Sequence, residues 1–223
     1  MLEHPMRSSD NPEWVGAVWV GQIDLSDVTS APAGSSFGLS GGSGYRRARF
    51  LVREGQTVRG FVTVGIEEGQ VRVDELRRVA EELPAAVPEP EPFRPPISVV
   101  ISTRDRGRLL REAVGSVLAS DYPSFEVVVV DNAGSTSETR DVALGHSDAR
   151  VRYVREPLAG SSHGRNRGLR VAAHEHVAFI DDDVVVDRHW LTGIARGFGR
   201  TPRVGLVCGL VPSGEIRTRT QAW

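Results

Sequence analysis

The sequence predicts an α/β protein in which a mostly parallel sheet with flanking helices is preceded by a small β-rich domain. A Pro-rich stretch at residues 84–96 divides the chain, because repeated prolines exclude helix and central strand and favour an extended spacer. After this stretch, apolar runs alternate with helical patterns, which is typical of βαβ units. Before it, β-rich runs are separated by turns. We therefore predict domains at residues 1–83 and 97–223, joined by a linker at residues 84–96.

The composition of the 223 residues fits a globular protein that can bury a core. The formal net charge of −2 is too small to favour a nucleic-acid partner. No apolar stretch approaches the roughly 20 residues of a membrane helix. Residues 1–15 lack the basic and then apolar plan of a signal peptide. We therefore expect a cytoplasmic protein with no nucleic-acid partner and no membrane segment in this chain.

Short β-rich runs and one helical pattern make up the N-terminal domain. The predicted strands cover residues 15–25, 48–53, 58–64 and 71–73. The second and third of these are separated by a Gly-containing turn and predict a hairpin. Asp74 is the predicted cap of a helix over residues 75–83, whose apolar residues share one face. The domain has no cluster of His, Cys or paired acids, so the sequence indicates no chemistry for it.

The C-terminal domain is predicted to alternate strands with helices. Short apolar runs are typical of strands buried on both faces, and they cover residues 97–102, 125–130, 151–154, 177–180 and 204–207. A stripe of apolar residues from Leu109 to Leu118 predicts the first helix. Two further helices are predicted over residues 165–173 and over residues 188–198, the latter capped by Asp187.

Polar residues follow three of these strands where each one ends: Thr103-Arg104-Asp105, Asp131-Asn132 and Asp181-Asp182-Asp183. Because the carboxyl ends of parallel strands meet along one edge of a sheet, we expect these residues to share a crevice. Three adjacent carboxylates repel one another unless a cation neutralises them, which favours a site for a divalent metal and an anion. On this pattern alone, an acidic turn that caps the next helix is an equally good interpretation.

Four sequence blocks occur in order: ISVVISTRDR from residue 97, VVVVDNAGST from residue 127, GSSHGRNRGL from residue 160 and VAFIDDDVVVDRHWL from residue 177. With them, about residues 97–212 resemble the family 2 glycosyltransferases, which have the Rossmann-like GT-A fold. The resemblance implies that the first blocks hold the nucleotide of a sugar donor. Thr103 would lie against the base, Asp131 would accept a hydrogen bond from its ring N–H, and Arg165 would lie near the base or the diphosphate.

The same resemblance makes Asp181 and Asp183 the Asp-x-Asp pair of the family. Asp183 would be the direct ligand of Mg²⁺ or Mn²⁺, and Asp181 would bind near the metal and the ribose. Such an ion stabilises the charge that develops on a diphosphate leaving group. Asp182 is left out of the predicted site, because alternation along a strand turns its side chain away from its neighbours. Asp131 as a simple turn residue and Arg165 as a solvated helix residue are the alternatives.

The implied reaction is the metal-dependent, inverting transfer of a sugar from a nucleotide-diphosphate sugar, with a UDP-sugar expected first, to a carbohydrate or lipid-linked acceptor. Family members continue into an acceptor-binding half that carries the general base. We therefore expect the catalytic base beyond Trp223, in a longer enzyme of which this chain is a piece. The alternative is a non-catalytic module that binds a nucleotide sugar or pairs with another subunit. A nucleotidyltransferase is less well supported, because residues 103–107 contain one glycine.

Overall fold

The structure is a computed structural model, and it describes Leu2, residues 11–86 and residues 93–222. The chain divides into two compact units, one of Met1–Pro88 with Leu210–Trp223 and one of Glu89–Gly209. The second unit shares residues 97–209 with the predicted C-terminal domain, whereas residues 210–223 group with the first unit. Part of the predicted linker, residues 87–92, lies outside the described residues. Among the residues that are described, no helix is both long and apolar enough to cross a membrane.

The first unit contains two small sheets and two helices. In chain order these are β1 (Val18–Asp24), α1 (Leu25–Ser30), β2 (Ser36–Gly38), β3 (Arg47–Glu54), β4 (Thr57–Gly65), β5 (Gln70–Arg72) and α2 (Val73–Glu81). β3 and β4 form the predicted hairpin, β1 is parallel to β3, and β2 pairs with β5. Trp19 and Phe50 are fully buried in its core. Ile216 belongs to this unit, since it forms an isolated bridge with Val18.

The predicted cap of α2 is wrong. The helix begins at Val73 directly after β5, so its N-cap is Arg72, which makes no side-chain capping hydrogen bond. Asp74 lies inside the first turn, where its Oδ2 accepts a hydrogen bond from the N–H of Gly34 at 3.0 Å. The carboxylate thus connects the helix to a preceding loop.

The second unit is an α/β sandwich around a four-stranded parallel sheet. Its elements are β6 (Ile97–Thr103), α3 (Gly107–Leu118), β7 (Phe125–Asn132), α4 (Glu138–Gly145), β8 (Val151–Glu156), α5 (Ser161–Val171), β9 (His176–Asp181) and α6 (Trp190–Gly199). The strand order is β8-β7-β6-β9, and every neighbouring pair is parallel. The predicted fold class is therefore confirmed.

Both faces of this sheet are covered, which explains why its central strands are apolar at successive positions. On one face, residues of β6 and β7 such as Val99 and Val127 pack with buried residues of α3, α4 and α6. On the other face, Val100 and Val128 form a smaller cluster with Val171 of α5. Side chains on both faces of a central strand are therefore buried, so apolar residues are favoured at every position of the strand.

Two glycines allow α5 to lie close to the sheet. Gly164 and Gly168 are four residues apart and therefore share one face of the helix. A Cβ atom at Gly164 would overlap the Ser102 side chain, and a Cβ at Gly168 would overlap the Val100 side chain. Glycine at these positions thus fixes the start of α5 above the end of β6.

The predicted strand at residues 204–207 is wrong. These residues have no regular secondary structure, and Leu206 is 81% exposed. An apolar run forms a buried strand only when another strand pairs with it and another layer covers it. Within the described ranges, β9 pairs with β6 alone, and residues 204–207 pair with no strand.

Candidate functional site

A cleft of about 430 Å³ lies at the carboxyl edge of the parallel sheet. The ends of β6, β7 and β9 and the beginning of α5 supply its walls. It is lined by Ser102, Thr103, Arg104, Arg106, Asn132, Gly160, Ser161, Arg165, Asp181, Asp182 and Asp183. This is the edge at which open α/β sheets bind their ligands.

Strand register brings the polar residues to this edge. Thr103 on β6 is paired in register with Asp131 on β7, and Ser102 is paired with Asp181 on β9. Each of these residues follows an apolar run, so the end of each buried strand marks the start of the polar edge. The cleft lining includes Thr103, Arg165, Asp181 and Asp183 of the predicted site residues, but it does not include Asp131.

Each of the three consecutive aspartates is paired with an arginine. Asp181 Oδ1 lies 2.6 Å from Arg165 Nη2. Asp182 Oδ1 lies 2.6 Å from Arg106 Nη1, and Asp183 Oδ2 lies 3.4 Å from Arg106 Nη2. The guanidinium groups therefore offset the repulsion that adjacent carboxylates exert on one another.

Asp182 lies inside the cleft, so the expectation that its side chain faces away is wrong. The strand ends at Asp181, and Asp182 and Asp183 form a turn in which strand alternation no longer applies. Asp182 is 4% exposed, and its Oδ2 accepts a hydrogen bond from the Thr103 hydroxyl at 2.5 Å. This bond occupies the hydroxyl of Thr103 and joins the end of β6 to the turn after β9.

Asp131 is 1% exposed and has its own partners within the protein. Its Oδ1 accepts a hydrogen bond from the Gly134 N–H at 3.0 Å, and its Oδ2 accepts one from the Tyr153 hydroxyl at 2.7 Å. Burial, and then the hydrogen bond to Asp131, raise the pKa of Tyr153 above its usual value. Arg155 Nη1 lies 3.8 Å from Asp131 Oδ2. The carboxylate thus holds the turn after β7, and its contact with a base stays a prediction.

Asp105 joins the loop after β6 to the loop after β7. Its carboxylate accepts hydrogen bonds from the N–H and hydroxyl groups of Ser135 and Thr136, at distances from 2.9 to 3.3 Å. These bonds, that from the Ser135 N–H foremost, lower the pKa of Asp105. Asp105 has a positive φ of 53°, a conformation that Asp tolerates better than most residues. Apart from the position of Asp105 after a strand, no sequence pattern indicates this role.

Asn132 holds the loop that leads into α5. Its side-chain amide donates to the Leu158 carbonyl at 2.7 Å and accepts from the Gly160 N–H at 2.8 Å. Gly160 has a φ of 137°, which glycine adopts without strain. The first turn of α5 then begins at Ser161, on the cleft wall. Because the N–H groups of a first helical turn lack intrahelical partners, this end of α5 favours an anion.

The lining carries balanced charge, with three arginines and three aspartates. Arg106 and Arg165 contact aspartates, as described above, whereas Arg104 makes no hydrogen bond or ion pair with any residue that the structure describes. Arg104 was expected at this edge as part of the polar run after β6 but was given no role, whereas Arg106 was not predicted. Arg104 is therefore a cation available to an anionic ligand.

The oxygen donors of the cleft suit a divalent metal only together with further ligands. In the described part of the chain, no group of three or more His, Cys, Asp and Glu side chains is arranged to hold a metal ion by itself. Mg²⁺, however, is usually bound through one or two carboxylates together with substrate phosphates and water. Asp181 and Asp183 offer carboxylate oxygens at the cleft wall, so the chemistry of the lining fits a metal that arrives with a diphosphate.

Sequence comparison finds a family match over the second half of the chain. The sequence model of glycosyl transferase family 2 matches residues 98–222. A Nostoc sp. protein described as an uncharacterized glycosyltransferase is 34% identical over 130 residues, which make up 56% of this chain and 40% of that protein. A Campylobacter jejuni protein named GalNAc(5)-diNAcBac-PP-undecaprenol beta-1,3-glucosyltransferase is 33% identical over 93 residues, with 40% of this chain and 30% of the relative covered. The chain thus spans less than half the length of these relatives.

Two solved structures are similar to part of the chain. One is the mannosyltransferase PcManGT from Pyrobaculum calidifontis in complex with GDP-Man and Mn²⁺, at 31% identity and a TM-score of 0.48, covering 53% of this chain and 37% of that one. The other is S. aureus TarS 1-349 in complex with UDP-GlcNAc, at 25% identity and a TM-score of 0.43, covering 46% of this chain and 31% of that one.

Proposed function

Because this chain belongs to glycosyl transferase family 2, we propose that its cleft binds the nucleotide-diphosphate sugar of a metal-dependent glycosyltransferase. The observation that carries the proposal is the pairing of Asp181–Asp183 with arginines at the carboxyl edge of the sheet, next to a helix N-terminus. Cations, carboxylates and free backbone N–H groups in one cleft suit a diphosphate together with a divalent ion.

The donor would lie along the cleft with its nucleoside near β6 and β7. Thr103 and Asp131 are register partners at the ends of these strands, which supports their assignment to the base. The diphosphate would lie near Arg104, Arg165 and the first turn of α5, where positive charge converges. A UDP-sugar is the donor we expect first.

Asp183, and Asp181 beside it, would hold Mg²⁺ or Mn²⁺. When bound, such an ion offsets the negative charge that develops on the departing nucleotide diphosphate. The role of the protein's own residues would be to orient the donor. Asp183 has its side chain 48% exposed and is reachable from solvent, whereas Asp182 is engaged by Thr103.

We further propose inversion at the transferred sugar and a carbohydrate or lipid-linked acceptor. The name of the Campylobacter jejuni relative refers to an undecaprenol-linked substrate, which supports a lipid-linked acceptor. Inversion by direct displacement requires a base opposite the leaving group, and none of the described cleft residues is assigned that role. The acceptor side of the reaction would involve parts of the longer family proteins that this chain does not match.

The test is a calorimetric titration of the chain with UDP, GDP and dTDP, each with and without Mn²⁺. We expect one nucleotide to bind in a Mn²⁺-dependent manner, and we expect Asp183→Ala to weaken that binding at least about tenfold, as for loss of a charged ligand. Asp141→Ala is the matched control, because Asp141 on α4 accepts a hydrogen bond from the N-cap residue Ser137 and is not part of the cleft lining.

Two outcomes would contradict the proposal. Unchanged Mn²⁺-dependent affinity in Asp183→Ala would refute the metal-site assignment. Failure of every nucleotide to bind a folded, unaltered chain would instead favour a module that pairs with another subunit. Circular dichroism of each variant verifies that the protein is folded.

A further inference from the structure

The acids of the cleft have their cations within the protein itself. Arg106 contacts Asp182 and Asp183 through different guanidinium nitrogens, and Arg165 contacts Asp181. The formal charges of the arginines and aspartates in the lining cancel. A ligand that carries net charge therefore disturbs a site that is already balanced.

We propose that Arg106 is a counter-cation that makes a divalent metal and a nucleotide diphosphate bind together rather than separately. The inference rests on the proposed donor function and adds a positioning residue to it. Arg106 would give up Asp183 to the metal, and its released guanidinium would bind the diphosphate. Both partners line the same cleft, so the exchange needs a side-chain movement only.

Charge balance gives the reason for coupling. A divalent ion alone leaves the balanced lining with excess positive charge and competes with Arg106 and Arg165 for their carboxylates. A diphosphate alone leaves the lining with excess negative charge and competes with the aspartates for the same arginines. Each phosphate of a nucleotide sugar carries a single negative charge, so the ion and the diphosphate together add no net charge. A nucleoside diphosphate carries more negative charge on its terminal phosphate, and the ion then compensates most of the added charge. Each ligand should therefore bind more tightly in the presence of the other.

The geometry indicates which contact of Arg106 is exchanged. The Asp182 side chain is 6% exposed and lies 2.6 Å from Arg106, and it also accepts the Thr103 hydroxyl. The Asp183 side chain is 48% exposed and lies 3.4 Å from Arg106. Breaking a buried ion pair costs far more than breaking an exposed one. Asp182 therefore keeps Arg106 at the cleft while Asp183 is released.

The side chain of Arg106 has room to move. It is 50% exposed, although its partner Asp182 is buried. The guanidinium presents several donors in a planar fork, which suits both a carboxylate pair and a phosphate. A change of partner therefore conserves the type of hydrogen bond that Arg106 makes.

The experiment measures Mn²⁺ binding by calorimetry on the full chain, first without nucleotide and then with the saturating nucleotide that the unaltered chain binds. In Arg106→Gln we expect Mn²⁺ alone to bind roughly tenfold more tightly, because a positive charge beside the ion is removed. The ratio of Mn²⁺ affinities with and without nucleotide should fall by a similar factor or more. By linkage, Mn²⁺ should enhance nucleotide binding less in the variant by the same factor.

Arg108→Gln is the matched control. It removes the same charge from the first turn of α3, but Arg108 pairs with Glu112 at 2.9 Å and is not part of the cleft lining. We expect its Mn²⁺ affinity to equal that of the unaltered chain. Arg106→Lys keeps Asp182 paired but cannot bridge two carboxylates as a guanidinium does, so we expect an intermediate tightening of about threefold.

Two failures are distinguishable. If the unaltered chain binds neither Mn²⁺ nor any nucleotide, the proposed function fails and the role of Arg106 with it. If the unaltered chain binds both and the affinity for Mn²⁺ alone is unchanged in Arg106→Gln, only the role of Arg106 is refuted. Should Arg106→Gln not fold, unchanged Mn²⁺ affinity in Arg106→Lys refutes it equally.

Discussion

Two groups of carboxylates lie at the carboxyl edge of the parallel sheet, and the protein holds them in different ways. The loop-bound acids, Asp105 and Asp131, accept hydrogen bonds from backbone N–H groups and from hydroxyl side chains. The arginine-bound acids, Asp181, Asp182 and Asp183, are paired with Arg106 and Arg165, whose side chains are about half exposed.

The difference separates carboxylates that are fixed by the main chain from carboxylates that can change partners. A backbone N–H cannot leave a carboxylate unless the main chain moves, so the loop-bound acids fix the turn after β7. An exposed arginine leaves a carboxylate at small cost, so Asp181 and Asp183 can exchange their partners for a ligand. Asp182 has one partner of each kind, since it is paired with Arg106 and also accepts a hydrogen bond from the buried hydroxyl of Thr103.

The largest expected effect compares one member of each group. Asp131→Ala should lower the free energy of unfolding by about 3 kcal/mol, because it leaves the half-buried Tyr153 hydroxyl and the buried Gly134 N–H without their acceptor. Asp183→Ala should change it by no more than about 0.5 kcal/mol, as expected of an exposed ion pair. Urea denaturation of both variants measures the difference. Equal losses would mean that the two groups of acids do not differ as structural elements.

The two central strands of the second unit, β6 and β7, were predictable from sequence because they are buried on both faces. Their runs are apolar without alternation, which is typical of a covered parallel sheet. The edge strands β8 and β9 are buried only in part, and Phe179 of β9 is 44% exposed. The run at residues 204–207 looks the same in sequence but lacks a pairing strand, and a sequence pattern does not contain that information. α4 was missed since its apolar residues are too few to form a clear stripe.

The candidate site was predictable as far as strand ends mark it. Asp181 and Asp183 follow a buried run, so their position at the sheet edge follows from topology. Asp182 was misplaced because the strand ends one residue before it, and a boundary shifted by one residue reverses the direction of a side chain. Arg106 was missed because its partners are 76 and 77 residues away, and no local pattern reports such a contact.

A smaller effect tests the support beneath the arginine-bound acids. Arg165 stands on α5, which touches the sheet through Gly168, and an added methyl there would overlap Val100. Gly168→Ala should therefore lower the free energy of unfolding by about 2 kcal/mol, as for other overpacked sites. Gly115→Ala on α3 is the control, because a Cβ there meets no atom within 4 Å.

Gly115→Ala should raise the free energy of unfolding by about 0.5 to 1 kcal/mol through helix propensity. Thermal or urea unfolding measures whether each substitution raises or lowers the free energy of unfolding. If Gly168→Ala stabilised the protein as Gly115→Ala does, α5 would not be seated by close contact, and Arg165 would not stand on a fixed support.

The smallest expected effect concerns acid pH and Asp105. Hydrogen bonds, foremost from the Ser135 N–H, lower its pKa from the usual 3.8. A carboxyl whose pKa is lower in the folded state stabilises the protein above the unfolded-state pKa, and this contribution is lost as pH falls through the folded-state pKa. Asp105→Asn cannot titrate, so its stability should decline less than that of the unaltered chain between about pH 5 and pH 3.

Other carboxyls with lowered pKa, such as Asp148 at about 2, titrate alike in both proteins. Urea midpoints at several pH values measure the difference, which is small because Asp105 is only partly buried. An identical decline in both proteins would show that the hydrogen bonds of Asp105 do not depend on its charge, and that this loop-bound acid holds its loop no more firmly than an amide would.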